Sequence, residues 1–166
     1  MSASTNIALS AAGQAIEARL AQLGITLPAP GIARGSYVPW VISGKQVFIA
    51  GQGPRLDGKM MHAGQVGVDI GVDEGRDAAR ICALNLVAQL KSACGGDLGR
   101  VVRVLRLAGV VNSGAGFAEH SKVLDGASDL MRQVFLERGL HVRMATGASS
   151  LPSNMAVEIE AVVEID

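Results

Sequence analysis

The chain has 166 residues, of which 49% are hydrophobic and only 18% charged, below the ~25% charged residues usual in soluble domains. Its 15 Lys and Arg balance 15 Asp and Glu to a formal net charge of 0, and aromatics make up 3%, which argues against a nucleic-acid surface with its excess positive charge and stacking rings. The length suits one domain with its own core, and a mean hydropathy of +0.32 leaves more apolar surface than the charges can cover, pointing to a homo-oligomer.

No basic start and apolar run of a signal peptide is present, since the first cation is Arg19, and no apolar stretch approaches the ~18 residues a membrane span needs. A reducing cytoplasm and no membrane partner are therefore expected. Cys82 and Cys94 fall in one expected helix, ~18 Å apart at ~1.5 Å rise per residue, beyond disulfide reach. His62, His120 and His141 are scattered and no Cys/His cluster has metal spacing, so neither metal nor organic cofactor is expected.

In chain order, Thr5 to Leu23 reads as a helix, with Ile16, Leu20 and Leu23 on one face and Gly24 as a stop; residues 27–31 then form a linker. Tyr37–Ile42 and Gln46–Ala50 are apolar, β-rich runs joined through Ser43-Gly44-Lys45 as a hairpin, and Gly51, Gly53 and Pro54 end it, read as turn glycines. Gln65–Ile70 suggests a short third strand. Asp73 is a candidate N-cap for a helix reaching Cys94, its buried stripe being Ala78, Ile81, Cys82, Leu86, Leu90 and Ala93, with Asn85 beside it as a structural hydrogen-bonding amide. Arg100–Val111 alternates as a long strand, and Phe117 opens another helix that ends at Gly139 and carries His120 as a packing or capping residue.

The C-terminal stretch carries most of the information. Val157, Ile159, Ala161, Val163 and Ile165 alternate with Glu158, Glu160 and Glu164, a strand with one face built for a core. His141–Ala148 alternates more weakly, its apolar parity being Val142, Met144 and Ala148, and Leu151-Pro152-Ser153-Asn154 supplies turn chemistry between the two. A hairpin centred there sets Arg143 opposite Glu160 and diagonal to Glu158, either as a plain cross-strand ion pair or as the polar face of a site. The element order gives an α+β fold: a mixed sheet with two main helices packed on one face.

Arg143, then Leu151-Pro152, then Val157-Glu-Ile-Glu-Ala, together with Tyr37-Val38 and Gly51-Gln52-Gly53-Pro54, resembles the Rid (YjgF) family, whose characterised members hydrolyse reactive enamines and imines. The resemblance spans about residues 28–166 and implies a chorismate-mutase-like domain assembled as a homotrimer with clefts between subunits. Residues 1–27 would be an N-terminal helical extension and linker with no assigned function. By the same resemblance Arg143 grips a substrate carboxylate, Glu158 directs water, Tyr37 lines the cleft and the backbone around Ala145 faces the ligand. Ala50 stands where deaminases of the family commonly have serine, and Ser121 where they often have asparagine, which suggests a smaller, less polar pocket. The implied activity is hydrolysis of a small imine or enamine carboxylate to the 2-oxo acid and ammonia. A non-catalytic trimer binding 2-oxo acids is the alternative. A chorismate-mutase-like rearrangement is disfavoured, because only one arginine of the cluster it needs can be found.

Overall fold

The computed structural model describes residues 8–166. Helix α1 spans Ala11–Gln22 and starts late because Ser10, in extended conformation, accepts the Gly13 N–H on its Oγ at 3.0 Å and so caps the first turn. The part of the expected helix at residues 5–7 lies outside the described residues. Strands β1 (Trp40–Ser43) and β2 (Gln46–Gln52) form the expected hairpin over Gly44, whose φ of 59° a glycine adopts freely. The first strand begins at Trp40 rather than Tyr37 because Pro39 has no N–H for a ladder, and its carbonyl instead accepts the Ala50 N–H at 2.9 Å.

A small second hairpin, β3 (Arg55–Leu56) and β4 (Lys59–Met60), turns through Asp57 and Gly58, both at positive φ. The short strand expected at Gln65–Ile70 is instead a compact turn, in which the Asp69 and Ile70 amides both donate to the Gln65 carbonyl. Helix α2 (Val72–Ala93) is capped at Gly71, not Asp73, by the Glu74 carboxylate that accepts the Gly71 N–H at 2.9 Å. Its expected stripe is buried in full. Strand β5 (Val101–Asn112), helix α3 (His120–Phe135), β6 (Val142–Ala148) and β7 (Val157–Ile165) complete the chain.

The sheet order is β1-β2-β7-β5-β6, antiparallel throughout except for the parallel β5/β6 pair. The β6/β7 hairpin expected from the turn residues is therefore wrong. β5 lies between the two strands, because α3 carries the chain from β5 across to its parallel neighbour β6, and the final strand returns to the other side of β5. Turn chemistry marks where a chain bends, but not which strand it bends onto.

α2 and α3 pack side by side on one face of this sheet, giving the α+β architecture expected, and the core lies between. The N-terminal helix belongs to that core: Ile16 and Leu20 are buried in it, Glu17 pairs with Lys91 at 2.6 Å, and the Arg19 guanidinium donates to the Val134 carbonyl at 2.9 Å. Asp97 closes the joint, accepting the Ser10 N–H at 2.9 Å and the Gly99 N–H at 2.8 Å. The opposite face of the sheet carries a row across all five strands: Val41, Phe48, Val162, Arg106 and Val142. Val41, Phe48, Val142 and, in the next row, Met144 are exposed. In β6 the apolar parity thus faces away from the helices, and Arg143 and Ala145 face them, the reverse of the expectation.

Candidate functional site

The longest wall of the main cavity is the linker from Pro28 to Pro39, held down because the buried Gln89 of α2 donates its Nε2 to the Gly31 carbonyl at 2.7 Å. The cavity, about 770 Å³, is closed by Gly51–Gly53 of β2, by Arg55–Gly58 of the small hairpin, by Asn85 and by Pro152, Ser153 and Met155 before β7. Glu158 and Tyr37 line it. Ala50 does not; it precedes the cavity-lining Gly51 by one residue.

Glu158 lies on the parity of β7 that points away from the helices, between the buried Val157 and Ile159. Half-buried, its carboxyl is pushed above the ordinary carboxylate range, first by loss of solvent and then by the neighbouring Glu160 charge. Its side chain lies over Gly51: a β-carbon built on residue 51 falls 2.5 Å from Glu158 Oε1 and 2.8 Å from its Cδ. Gly51 therefore answers to the carboxylate beside it, not only to turn geometry. Asn85 makes the structural bonds expected of it, donating to the carbonyls of Gly53 (3.1 Å), Arg55 (2.8 Å) and Ile81 (3.2 Å), and so pins the small hairpin to α2.

Arg143 is elsewhere. It stands on the edge strand β6 beside Leu107, which in turn pairs with Ala161, so two strand spacings and three residues separate it from Glu158, ~14 Å between α-carbons. It also points to the opposite face of the sheet. The expected pairing with Glu160 does not form; Glu160 binds Arg106 at 3.0 Å on the outer face instead. The Arg143 guanidinium is held by α3: Nη1 donates to Asp125 Oδ1 at 2.8 Å and to Ser128 Oγ at 3.0 Å, and Nη2 donates to the Ser121 carbonyl at 3.2 Å. Of five N–H groups this leaves two, Nε–H and one on Nη2. Ser128 also contacts His141 Nε2 at 3.0 Å, while Nδ1 of that ring donates to the Gly139 carbonyl at 2.7 Å.

Ser121 thus enters through its carbonyl, and Ala145 is half-buried against the core two residues beyond Arg143. The expected residues fall into two groups on opposite faces of the sheet: Tyr37 and Glu158 at the cavity, and Arg143 and Ala145 of β6 with Ser121 of α3 on the helix side. Asp125 and Ser128, and the cavity residues Arg34 and Arg55, are additions that the sequence reading missed. A helical i, i+3 pair of hydrogen-bonding groups is the only signal Asp125 and Ser128 offered, and Asp57-Gly58 was a legible hairpin turn that would have placed Arg55 beside the cavity.

Among the described residues, no group of three or more His, Cys, Asp or Glu could hold a metal ion, both cysteines are free, and no helix is long and apolar enough to cross a membrane.

A helix-backed mixed sheet with a cavity beside its central strand and a fixed arginine on its edge strand defines a chorismate-mutase-like α+β protein. Residues 17–165 match the family described as "YjgF/chorismate_mutase-like, putative endoribonuclease", and the chain belongs to this family, the Rid family of the sequence resemblance. It is 45% identical over 152 residues to Protein TCP17 of Trypanosoma cruzi, covering 91% of this chain and 94% of that protein. Among solved structures it is similar to Atu1372 of Agrobacterium tumefaciens, a protein of unknown function, with 45% identity, a TM-score of 0.87 and coverage of 93% and 95%. A "putative endoribonuclease" of Shewanella oneidensis gives 42% identity, a TM-score of 0.87 and coverage of 90% and 99%. Membership of this family supports a small-molecule-processing role.

Proposed function

We propose that this protein hydrolyses enamine or imine carboxylates to 2-oxo acids and ammonia, in clefts formed between the subunits of a homotrimer. The observation that carries this reading is the split of the site. A carboxylate with a raised pKa waits in a cavity beside the central strand, a guanidinium with two free N–H groups is fixed on the edge strand β6, and Val41, Phe48, Val142 and Met144 are exposed on the sheet face from which Glu158 projects. A second copy packed on that face buries the apolar row and brings its edge strand to the first copy's cavity. Arg143 of one subunit then holds the substrate carboxylate by charge-assisted bonds.

In the reaction Glu158 takes a proton from water as its oxygen bonds to the imine carbon. That proton passes to the nitrogen to give a neutral carbinolamine; Glu158 then takes the carbinolamine hydroxyl proton and delivers it to the same nitrogen as the C=O bond forms and the C–N bond breaks, releasing ammonia and the 2-oxo acid. A carboxyl shifted towards neutrality suits both transfers, a role worth typically ~10²–10⁴ in rate. Tyr37, at the cavity wall, would contact the substrate side chain. One observation favours binding without turnover: Ala50 supplies no hydroxyl beside Gly51. The test is release of 2-oxo acid from imines generated in situ from several amino acids, with and without the protein. Acceleration supports the hydrolase; binding of 2-oxo acids without acceleration of any imine decides for the binder.

A further inference from the structure

The cavity is neither small nor weakly polar, as Ala50 and Ser121 had suggested. Besides Glu158 it is lined by two guanidiniums, Arg34 from the linker and Arg55 from the small hairpin. Among the described residues neither is in an ion pair. Arg55 makes one long side-chain bond, to the Gly58 carbonyl at 3.4 Å, so its donors are largely uncommitted.

Both arginines are carried by restrained backbone. The Arg55 carbonyl accepts from Asn85 and its amide donates to the Gly53 carbonyl at 2.9 Å, and the linker bearing Arg34 is tied to α2 through Gln89 and Gly31. The Arg34 amide further donates to the Tyr37 hydroxyl at 3.4 Å. The other carboxylate of the lining, Asp57, is exposed at the left-handed tip of the hairpin. A volume of about 770 Å³ also exceeds what a three- or four-carbon imino acid fills.

Resting on the imine-carboxylate reading above, we infer that the preferred ligand carries a second anionic group, a carboxylate or a phosphate, bound by Arg34 and Arg55 in the cavity that Glu158 lines. Guanidiniums with uncommitted donors on a concave wall, Arg55 half-buried and Arg34 exposed, recognise such oxyanions by two parallel N–H bonds, and a purely aliphatic substrate side chain would leave both unpartnered. The linker that follows α1 provides Arg34, which gives the N-terminal region a part in selectivity.

Calorimetric binding of 2-oxobutyrate, 2-oxoglutarate and phosphohydroxypyruvate to the full chain tests this, alongside turnover of imines made in situ from 2-aminobutyrate and glutamate. The dianions should bind about tenfold or more tightly than 2-oxobutyrate, the size one charge-assisted bond gives, and Arg34→Ala with Arg55→Ala should abolish that preference. Which dianion leads distinguishes carboxylate from phosphate. Equal affinity for all three ligands in the wild type overturns the inference, and the hydrolase reading survives if imine turnover persists. A dianion preference without turnover of any imine overturns the hydrolase reading and leaves the second-anion site standing.

Discussion

Gly51 and Glu158 share one volume: the glutamate carboxylate occupies the space where residue 51 would carry a β-carbon, 2.5 Å from the nearest oxygen. Gly51→Ala must therefore move the carboxylate, since all the nearest atoms to the added β-carbon belong to the Glu158 side chain. The expected outcome is a fall in kcat of about tenfold or more with unchanged circular dichroism, a misplacement of the proton-transfer group rather than a folding defect. Full activity in this variant would detach Glu158 from catalysis.

How far the sequence reached depended on whether an interaction was local. The buried stripe of α2, the alternation of β7 and the Gly44 hairpin each arise within one element and read correctly. Strand neighbours do not: Arg143 and Glu158 were joined by a hairpin that β5 interrupts, because period-2 alternation fixes which face a residue takes but not what lies beside the strand. The apolar parity of β6 misled for a related reason. Val142 and Met144 look like core and are exposed, while Arg143 points to the helices because Asp125 and Ser128 of α3 satisfy it. Those partners lie 18 and 15 residues away, and nothing periodic announces them.

The α1 joint should be measurable. Asp97 accepts two backbone N–H groups, and these bonds hold its carboxyl below the ordinary carboxylate range, those from Ser10 most strongly. Asp97→Ala removes the acceptor of both donors; because Ser10 is exposed and Gly99 only half-buried, water replaces part of these bonds and the expected loss is about 1–2 kcal/mol. Urea unfolding at fixed protein concentration should show a lower midpoint with an unchanged slope. A midpoint equal to wild type would mean that α1 docks through Ile16 and Leu20 alone.

Glu158 should leave a pH signature of opposite sign. Its folded carboxyl is raised above the unfolded value of ~4.3, so between the two the folded state binds more protons and stability falls as pH rises. Glu158→Gln removes the charged form that folding disfavours. The variant should melt above wild type at pH 7, with the difference vanishing as pH is lowered to about 4. A constant offset across the range would place the effect in packing instead.

The arginine clamp separates orientation from charge. Arg143→Lys keeps one positive charge but loses the planar fork and its three bonds to α3, so turnover or 2-oxo acid affinity should fall about tenfold to a hundredfold at charge-assisted strengths of ~1.5–3 kcal/mol. Asp125→Asn keeps Arg143 but weakens one anchor. Its effect should be smaller, about threefold to tenfold, and should appear mainly in KM for the carboxylate. If neither substitution alters affinity or kinetics, Arg143 is a structural tie between β6 and α3.

The proposed division of the site between two subunits yields a test that needs no structure of the assembly. Arg143→Ala and Glu158→Ala should each be inactive alone, because every cleft of either homotrimer lacks one partner. In a shared cleft the arginine comes from one subunit and the glutamate from the next, so a mixed trimer contains some clefts with both. Co-expression of the two variants under different affinity tags, with purification through both, selects such mixtures. Each mixed trimer, of either composition, holds one complete cleft among its three, so roughly a third of wild-type kcat should return. A site contained within one protomer cannot be rebuilt by mixing, because each chain still lacks its own arginine or glutamate. Recovery with KM close to wild type would tie Arg143 and Glu158 to one chemistry across an interface. Stable mixed trimers that stay inactive would break that link, and monomers in sedimentation equilibrium at micromolar concentration would remove the interface altogether.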